Sequence, residues 1–205
     1  MKQMIKIFSD LEELNNFAVA KFLEIAKESI ENRGFFTVSL AGGSTPKSLY
    51  KLLSSEKFKG KIDWEKVFFF FGDERNVLPD EAQNNFKMAN DNLFEPLQIK
   101  DQNIFRWETE LRDAKEIAMK FEKKIKVFFV AKTEQPAHAD CSDRFDLILL
   151  GMGDDGHTAS LFPYTEALHE TEKIAVANFV EKLNDWRFTL TFPTINNARN
   201  IIFLV

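Results

Sequence analysis

An apolar run from Phe145 to Leu150 breaks off into Gly151-Met-Gly153-Asp154-Asp155-Gly156-His157-Thr-Ala-Ser160-Leu-Phe-Pro163. The run reads as a buried strand, and two more, Phe35–Ala41 and Val67–Phe71, also stop at a glycine. Between such runs the apolar residues fall at helical spacing. Asp10 is placed to cap a helix carrying Leu11, Leu14, Phe17, Ala18, Phe22 and Ile25, which Gly34 ends. Strands that alternate with helices predict an α/β fold with a doubly wound, mainly parallel sheet flanked by helices. In such a sheet the chemistry sits in the crevice beyond the carboxyl ends of the strands, where this run meets its glycines, acids and histidine.

The same patterning predicts the remaining elements. Ile5–Phe8 and Ile104–Trp107 are short strand candidates. Ser44 or Thr45 is expected to cap a helix with Pro46 at its first position and Leu49, Tyr50, Leu52 and Leu53 along it. Helices are expected over 85–94, stopped by Pro96, and over 111–130, with 127–130 ambiguous. The stretch 132–144 reads as a loop, and a short helix is expected near 157–162. Strands at 174–180 and 187–192, a helical turn at 193–199 and a strand at 200–205 complete the pattern. An α/β domain ordinarily covers such a final strand with a further helix, so the expectation is a fold lacking its C-terminal helical segment.

With 205 residues, one domain is expected, and most of the 22 phenylalanines are expected in its core. The net charge of −5 argues against a nucleic-acid surface, which needs clustered Lys and Arg. The single cysteine, Cys141, permits neither an internal disulfide nor a cysteine-rich metal site. The first residues lack a signal-peptide pattern, and no stretch has the apolar length of a membrane span, so a cytoplasmic protein is expected.

Three segments could carry chemistry. Ala41-Gly42-Gly43-Ser44-Thr45-Pro46 follows a strand and opens a helix, so its N–H groups and hydroxyls suit a phosphate; the plainer reading is a turn and a cap. Gly72-Asp73-Glu74-Arg75 ends another strand. Arg75 could grip a phosphate or carboxylate, or pair structurally with Asp73 and Glu74. In the third, Gly151-x-Gly153-x-x-Gly156 matches a dinucleotide fingerprint. Asp154 and Asp155 would repel a pyrophosphate and Pro163 would break the helix, so that reading is rejected. His157, beside two acids at a strand end, is the proton-transfer candidate, whereas His138 and His169 lie in polar, irregular segments. Lys182 and Arg187 are cations whose plainer reading is solvated charge. No histidine cluster of metal-binding spacing and no Gly-x-Ser-x-Gly elbow occurs.

Ser39-Leu-Ala-Gly-Gly-Ser-Thr-Pro46, Phe71-Gly-Asp-Glu-Arg75, Pro79-Asp80 with Asn84-Asn85-Phe86, the whole of Gly151–Pro163, and Trp186-Arg-Phe-Thr-Leu-Thr191 occur in this order. Together they resemble the 6-phosphogluconolactonase family. The resemblance implies the fold shared with glucosamine-6-phosphate deaminase and ribose-5-phosphate isomerase. It also implies cofactor-free hydrolysis of a small phosphorylated sugar lactone, 6-phospho-D-glucono-1,5-lactone. Its partner would be that substrate alone, with no nucleic acid or membrane, and the protein a monomer or small homo-oligomer. The resemblance makes His157 the catalytic histidine, Asp155 its acidic companion and Arg75 the active-site arginine. It places Gly42, Gly43, Ser44, Thr45, Asn85, Lys182 and Arg187 at the substrate and its phosphate. The chain departs from the family at Asn84-Asn85, where Ser-Asn is usual, and at Leu183-Asn-Asp-Trp186, which replaces a proline-rich run.

Two other functions compete. An amino-sugar-phosphate isomerase or deaminase shares the fold but follows the histidine with Ile-Ala-Phe-Asn-Glu-Pro, where this chain has Thr158-Ala-Ser-Leu-Phe-Pro163. A non-catalytic sugar-phosphate sensor would have no use for the paired His157 and Asp155.

Overall fold

The computed structural model describes residues 4–133 and 144–205. Cys141, His138 and residues 134–143 of the loop expected over 132–144 lie outside the described residues, whereas Lys132 and Thr133 are helical and not loop. Helix α1 (Leu11–Arg33) starts where Asp10 accepts the Glu13 N–H at 2.9 Å. It ends at Gly34, whose φ of 77° lets its N–H turn back to Ile30. Ala18, Val19, Phe22 and Ala26 form its buried face.

Next come β1 (Phe36–Leu40), α2 (Ser44–Leu53), β2 (Val67–Phe71), β3 (Asp73–Arg75) and α3 (Asn85–Ala89). A π-helical turn over Asn90–Phe94 leads from α3 into the short α4 (Glu95–Leu97). Then follow α5 (Ala114–Thr133), β4 (Leu147–Leu150), β5 (Ala175–Val180), β6 (Asp185–Leu190), α6 (Phe192–Asn196) and β7 (Ile201–Phe203).

Strands β2, β1, β4 and β7 pair in that order, all parallel, as the continuous apolar runs imply for strands covered on both faces. Phenylalanine fills the centre of the core. Phe70 stacks on Phe105 at 4.5 Å between ring centroids and meets Phe145 edge-on at 5.1 Å. The second sheet is antiparallel, in the order β3-β6-β5. The strands expected at 174–180 and 187–192 belong to it and not to the parallel sheet. They form a hairpin through Glu181–Asn184, with Asn184 left-handed at φ 47°. The Leu190 N–H donates to the Gly72 carbonyl at 2.8 Å and ties this sheet to the end of β2.

Several local expectations are corrected. Residues 5–8 form no strand; Ile5 and Ile7 are exposed, and the half-buried Phe8 packs its ring on Phe17. Ile104 makes an isolated parallel bridge to Phe69 and does not begin a strand. Pro96 does not stop the helix at 85–94 but sits in the first turn of α4, where a missing N–H costs nothing. No helix forms over 157–162; Thr158 bridges Leu161, and Ala159 takes φ 48°. No helix among the described residues is long and apolar enough to cross a membrane.

In the parallel sheet β2 lies on one side of β1 and β4 on the other. The crossover direction reverses between β1 and β4. A crevice therefore opens beyond their carboxyl ends, at Ala41–Gly43 and Gly151–Gly153.

Candidate active site

The loop after β4 is folded to present one imidazole. The Gly153 N–H donates to the His157 carbonyl at 2.8 Å, and the Gly156 N–H to the Gly153 carbonyl at 2.9 Å. Gly156 sits at φ 81°, which closes this tight turn. Gly153 has no alternative, because a Cβ there would overlap the His157 ring. Phe162 stacks under that ring at 4.0 Å and 21°. Asp155 Oδ1 accepts the His157 backbone N–H at 3.2 Å and meets Nδ1 at 2.5 Å.

A carboxylate at Nδ1 assigns the proton to that nitrogen and leaves Nε2 as the acceptor. Burial pushes the His157 pKa below its ordinary 6.5; the Asp73 and Asp154 charges oppose this, and Arg75 reinforces it. The ring is therefore largely neutral at pH 7 and can act as a base. Lys182, from the β5–β6 turn, pairs with Asp155 Oδ2 and lies 4.7 Å over the Phe162 ring. The structure thus places Lys182 beside Asp155, the partner of His157.

The segment after β2 supplies the next group. Arg75 donates from Nη1 to Asn85 Oδ1 and to the Gln83 carbonyl at 2.9 Å, so its guanidinium goes to neither Asp73 nor Glu74. Glu74 turns inward and is 1% exposed. Its carboxylate accepts the N–H groups of Asn85 (2.7 Å), Phe86 (3.0 Å) and Arg75 (2.9 Å), which binds β3 to the start of α3. Burial pushes its pKa up to about 7, against the lowering effect of those three bonds.

The glycine-rich loop leads into α2. Gly43, at φ 106°, is the N-cap residue and offers no side-chain cap; Ser44 and Thr45 lie inside the first turn, and Pro46 is its third residue. The expected capping role of Ser44 or Thr45 is corrected accordingly, and the opening N–H groups of α2 are available to an anion. Asn85 packs so closely on Gly42 that a Cβ there would overlap its amide.

Two adjoining clefts result. The first, about 150 Å³, is lined by Gly42, Asp73, Arg75, Gly151, Gly153 and His157 among others. The second, about 510 Å³, is lined by Gly43, Ser44, Lys47, Arg75, Asn85 and Arg187 among others. Arg75 borders both. Arg187 faces Arg75 in the β3–β6 register and is held by Asp185 at 2.7 Å. Thr45 and Lys182 line neither cleft. Sequence reasoning missed Lys47, although its position three residues after Ser44 puts it on the same face of the opening turn.

Residues 9–205 match the family described as glucosamine-6-phosphate isomerases/6-phosphogluconolactonase. The chain is 38% identical to a 6-phosphogluconolactonase of Nostoc sp., over 100% of this chain and 80% of that protein. It is 41% identical to one of Synechocystis sp., over 87% of this chain and 69% of that protein. Its fold is similar to that of the solved 6-phosphogluconolactonase from Trypanosoma cruzi, with a TM-score of 0.84 and 33% identity over 98% of this chain and 79% of that one.

Proposed function

We propose that this chain, which belongs to the glucosamine-6-phosphate isomerase/6-phosphogluconolactonase family, hydrolyses 6-phospho-D-glucono-1,5-lactone to 6-phosphogluconate. One observation carries the reading: a histidine paired with a carboxylate stands in a small cleft, and a wider, cationic cleft opens beside it across Arg75. A lactone with a phosphate at its far end needs both.

In this reading the phosphate occupies the second cleft, against Lys47, Arg187 and the first turn of α2. The lactone carbonyl then lies in the first cleft. His157 Nε2 takes a proton from water as the water oxygen adds to C1. The carbonyl π electrons move onto oxygen, and Arg75 stabilises that oxyanion or the phosphate beside it. The tetrahedral intermediate collapses, the bond from C1 to the ring oxygen breaks, and His157 returns its proton to that oxygen. Asp155 holds the Nδ1–H and stabilises the imidazolium between the two transfers. Lys182, on the other oxygen of Asp155, holds that carboxylate in place beside the imidazole. A lactone is already an activated ester, so water and one base suffice without a covalent intermediate.

One buried apolar cluster that extends from α1 to the end of the chain supports reading the whole as one domain. The test is a coupled assay on the purified protein, corrected for spontaneous hydrolysis, with 6-phosphogluconolactone and unphosphorylated gluconolactone side by side. Catalysis should be strong with the first and weak with the second. Equal rates on the two would sink the phosphate assignment, and no rate on either would sink the lactonase reading.

A further inference from the structure

Among the described residues that line the first cleft, Asp73 is the one carboxylate, and the hydrolytic steps give it no part. Four buried polar residues fix its direction. Ser160 Oγ donates to Asp73 Oδ2 at 2.8 Å, and Asn85 Nδ2 donates to Asp73 Oδ1 at 3.2 Å and to its carbonyl at 2.9 Å. Ser160 is itself held: its N–H donates to Thr189 Oγ1 at 3.3 Å, and its carbonyl accepts from Asn178 Nδ2 at 2.9 Å. Ser160, Asn85, Asn178 and Thr189 are each 2% exposed or less. Asp73 itself stays partly open to the cleft. A buried polar network with its members satisfied gives one orientation to the group it holds.

A carboxylate oxygen has about two acceptor positions. Each oxygen of Asp73 receives one side-chain bond, which leaves one position on each for a ligand. A sugar ring lying between His157 and the cationic cleft presents hydroxyl donors that need acceptors there. Two free positions on one fixed carboxylate match two neighbouring hydroxyls. We propose that Asp73 is the specificity-determining residue of the first cleft, accepting hydrogen bonds from ring hydroxyls of the phosphosugar. This rests on the phosphosugar-lactone reading above. The charge of Asp73 also keeps the phosphate end of the substrate out of the first cleft and sends it toward Lys47 and Arg187, which fixes the direction of binding.

The experiment is calorimetric titration of the whole chain with glucitol 6-phosphate, which carries the hydroxyls without the reactive carbonyl, and with inorganic phosphate. Asp73→Asn should weaken glucitol 6-phosphate about tenfold or more, the size expected for losing a charged hydrogen bond, without weakening phosphate, whose repulsion it removes. Equal weakening of both ligands would make Asp73 only a prop for β3 and Arg75, and overturns the proposal. So does a wild type that binds glucitol 6-phosphate no better than phosphate. Should Asp73→Asn fail to fold, Ser160→Ala keeps the charge but frees its direction. It should weaken glucitol 6-phosphate selectively, and an unchanged ratio of the two affinities overturns the proposal. The wild-type lactone assay keeps the two readings apart. Hydrolysis with no selective loss in the variants sinks this inference alone, whereas absent hydrolysis sinks the reading beneath it.

Discussion

His157 is the residue on which the chemistry turns, and its surroundings set when it works. Replacing it with alanine should lower kcat about 10²–10⁴-fold, the range for removal of a general base, with affinity for inorganic phosphate retained. A variant with near-normal corrected turnover would remove His157 from the mechanism. Because burial holds the imidazole pKa below 6.5, the base form is lost only as pH falls through that lower value. The acid limb of kcat/KM for the wild type should therefore have its midpoint below pH 6.5; a midpoint above it would mean that the carboxylates outweigh burial. His157 and Asp155 were legible in the sequence because a single residue, Gly156, separates them and a strand end places both. The partner of Asp155 was not legible. Lys182 lies 27 residues away, and only the β5–β6 hairpin delivers it there.

Elements decide which groups share a cleft. The loop after β4 works because Gly153 leaves room for the His157 ring. Gly153→Ala should thus cost nearly as much kcat as His157→Ala while phosphate still binds, and a variant with normal kcat would show that the ring tolerates displacement. The start of α2 is the other working element. Lys47→Ala should raise KM for the phosphorylated lactone several-fold with kcat little changed, and a fall in kcat alone would contradict a role at the phosphate. Strand β3 was invisible in the sequence: three charged or polar residues, Asp73-Glu74-Arg75, carry no strand signal. They are extended because β6 pairs with them, and that pairing is long-range. The helix expected near 157–162 failed for a similar reason. Asp73, Thr189 and Asn178 take up the polar groups of Ser160, which fixes the segment in a turn.

At the scale of the whole molecule, Glu74 links stability to pH. In the folded chain it keeps its proton up to about pH 7, against an ordinary 4.5. Between those values the native state holds more protons than the unfolded state, so stability should fall as pH rises, by on the order of 3 kcal/mol across the window. Denaturant unfolding from pH 4.5 to 7.5 should show that decline, and Glu74→Gln should flatten it; identical slopes would assign the decline to other groups. The sequence by itself determined a mainly parallel α/β sheet and the positions of its glycine-ended strands β1, β2 and β4, while the order β2-β1-β4-β7 came with the tertiary structure. Apolar periodicity and chain breaks are local properties, and a strand buried on both faces reads as a continuous apolar run. It also marked His157, Asp155, Arg75 and the 42–45 loop as chemistry. Only the tertiary structure decided that β5 and β6 leave that sheet to pair with β3, that Glu74 turns inward, and that Arg75 borders both clefts. Those outcomes depend on partners far away in the chain, whose burial and hydrogen bonding override what each residue would prefer alone.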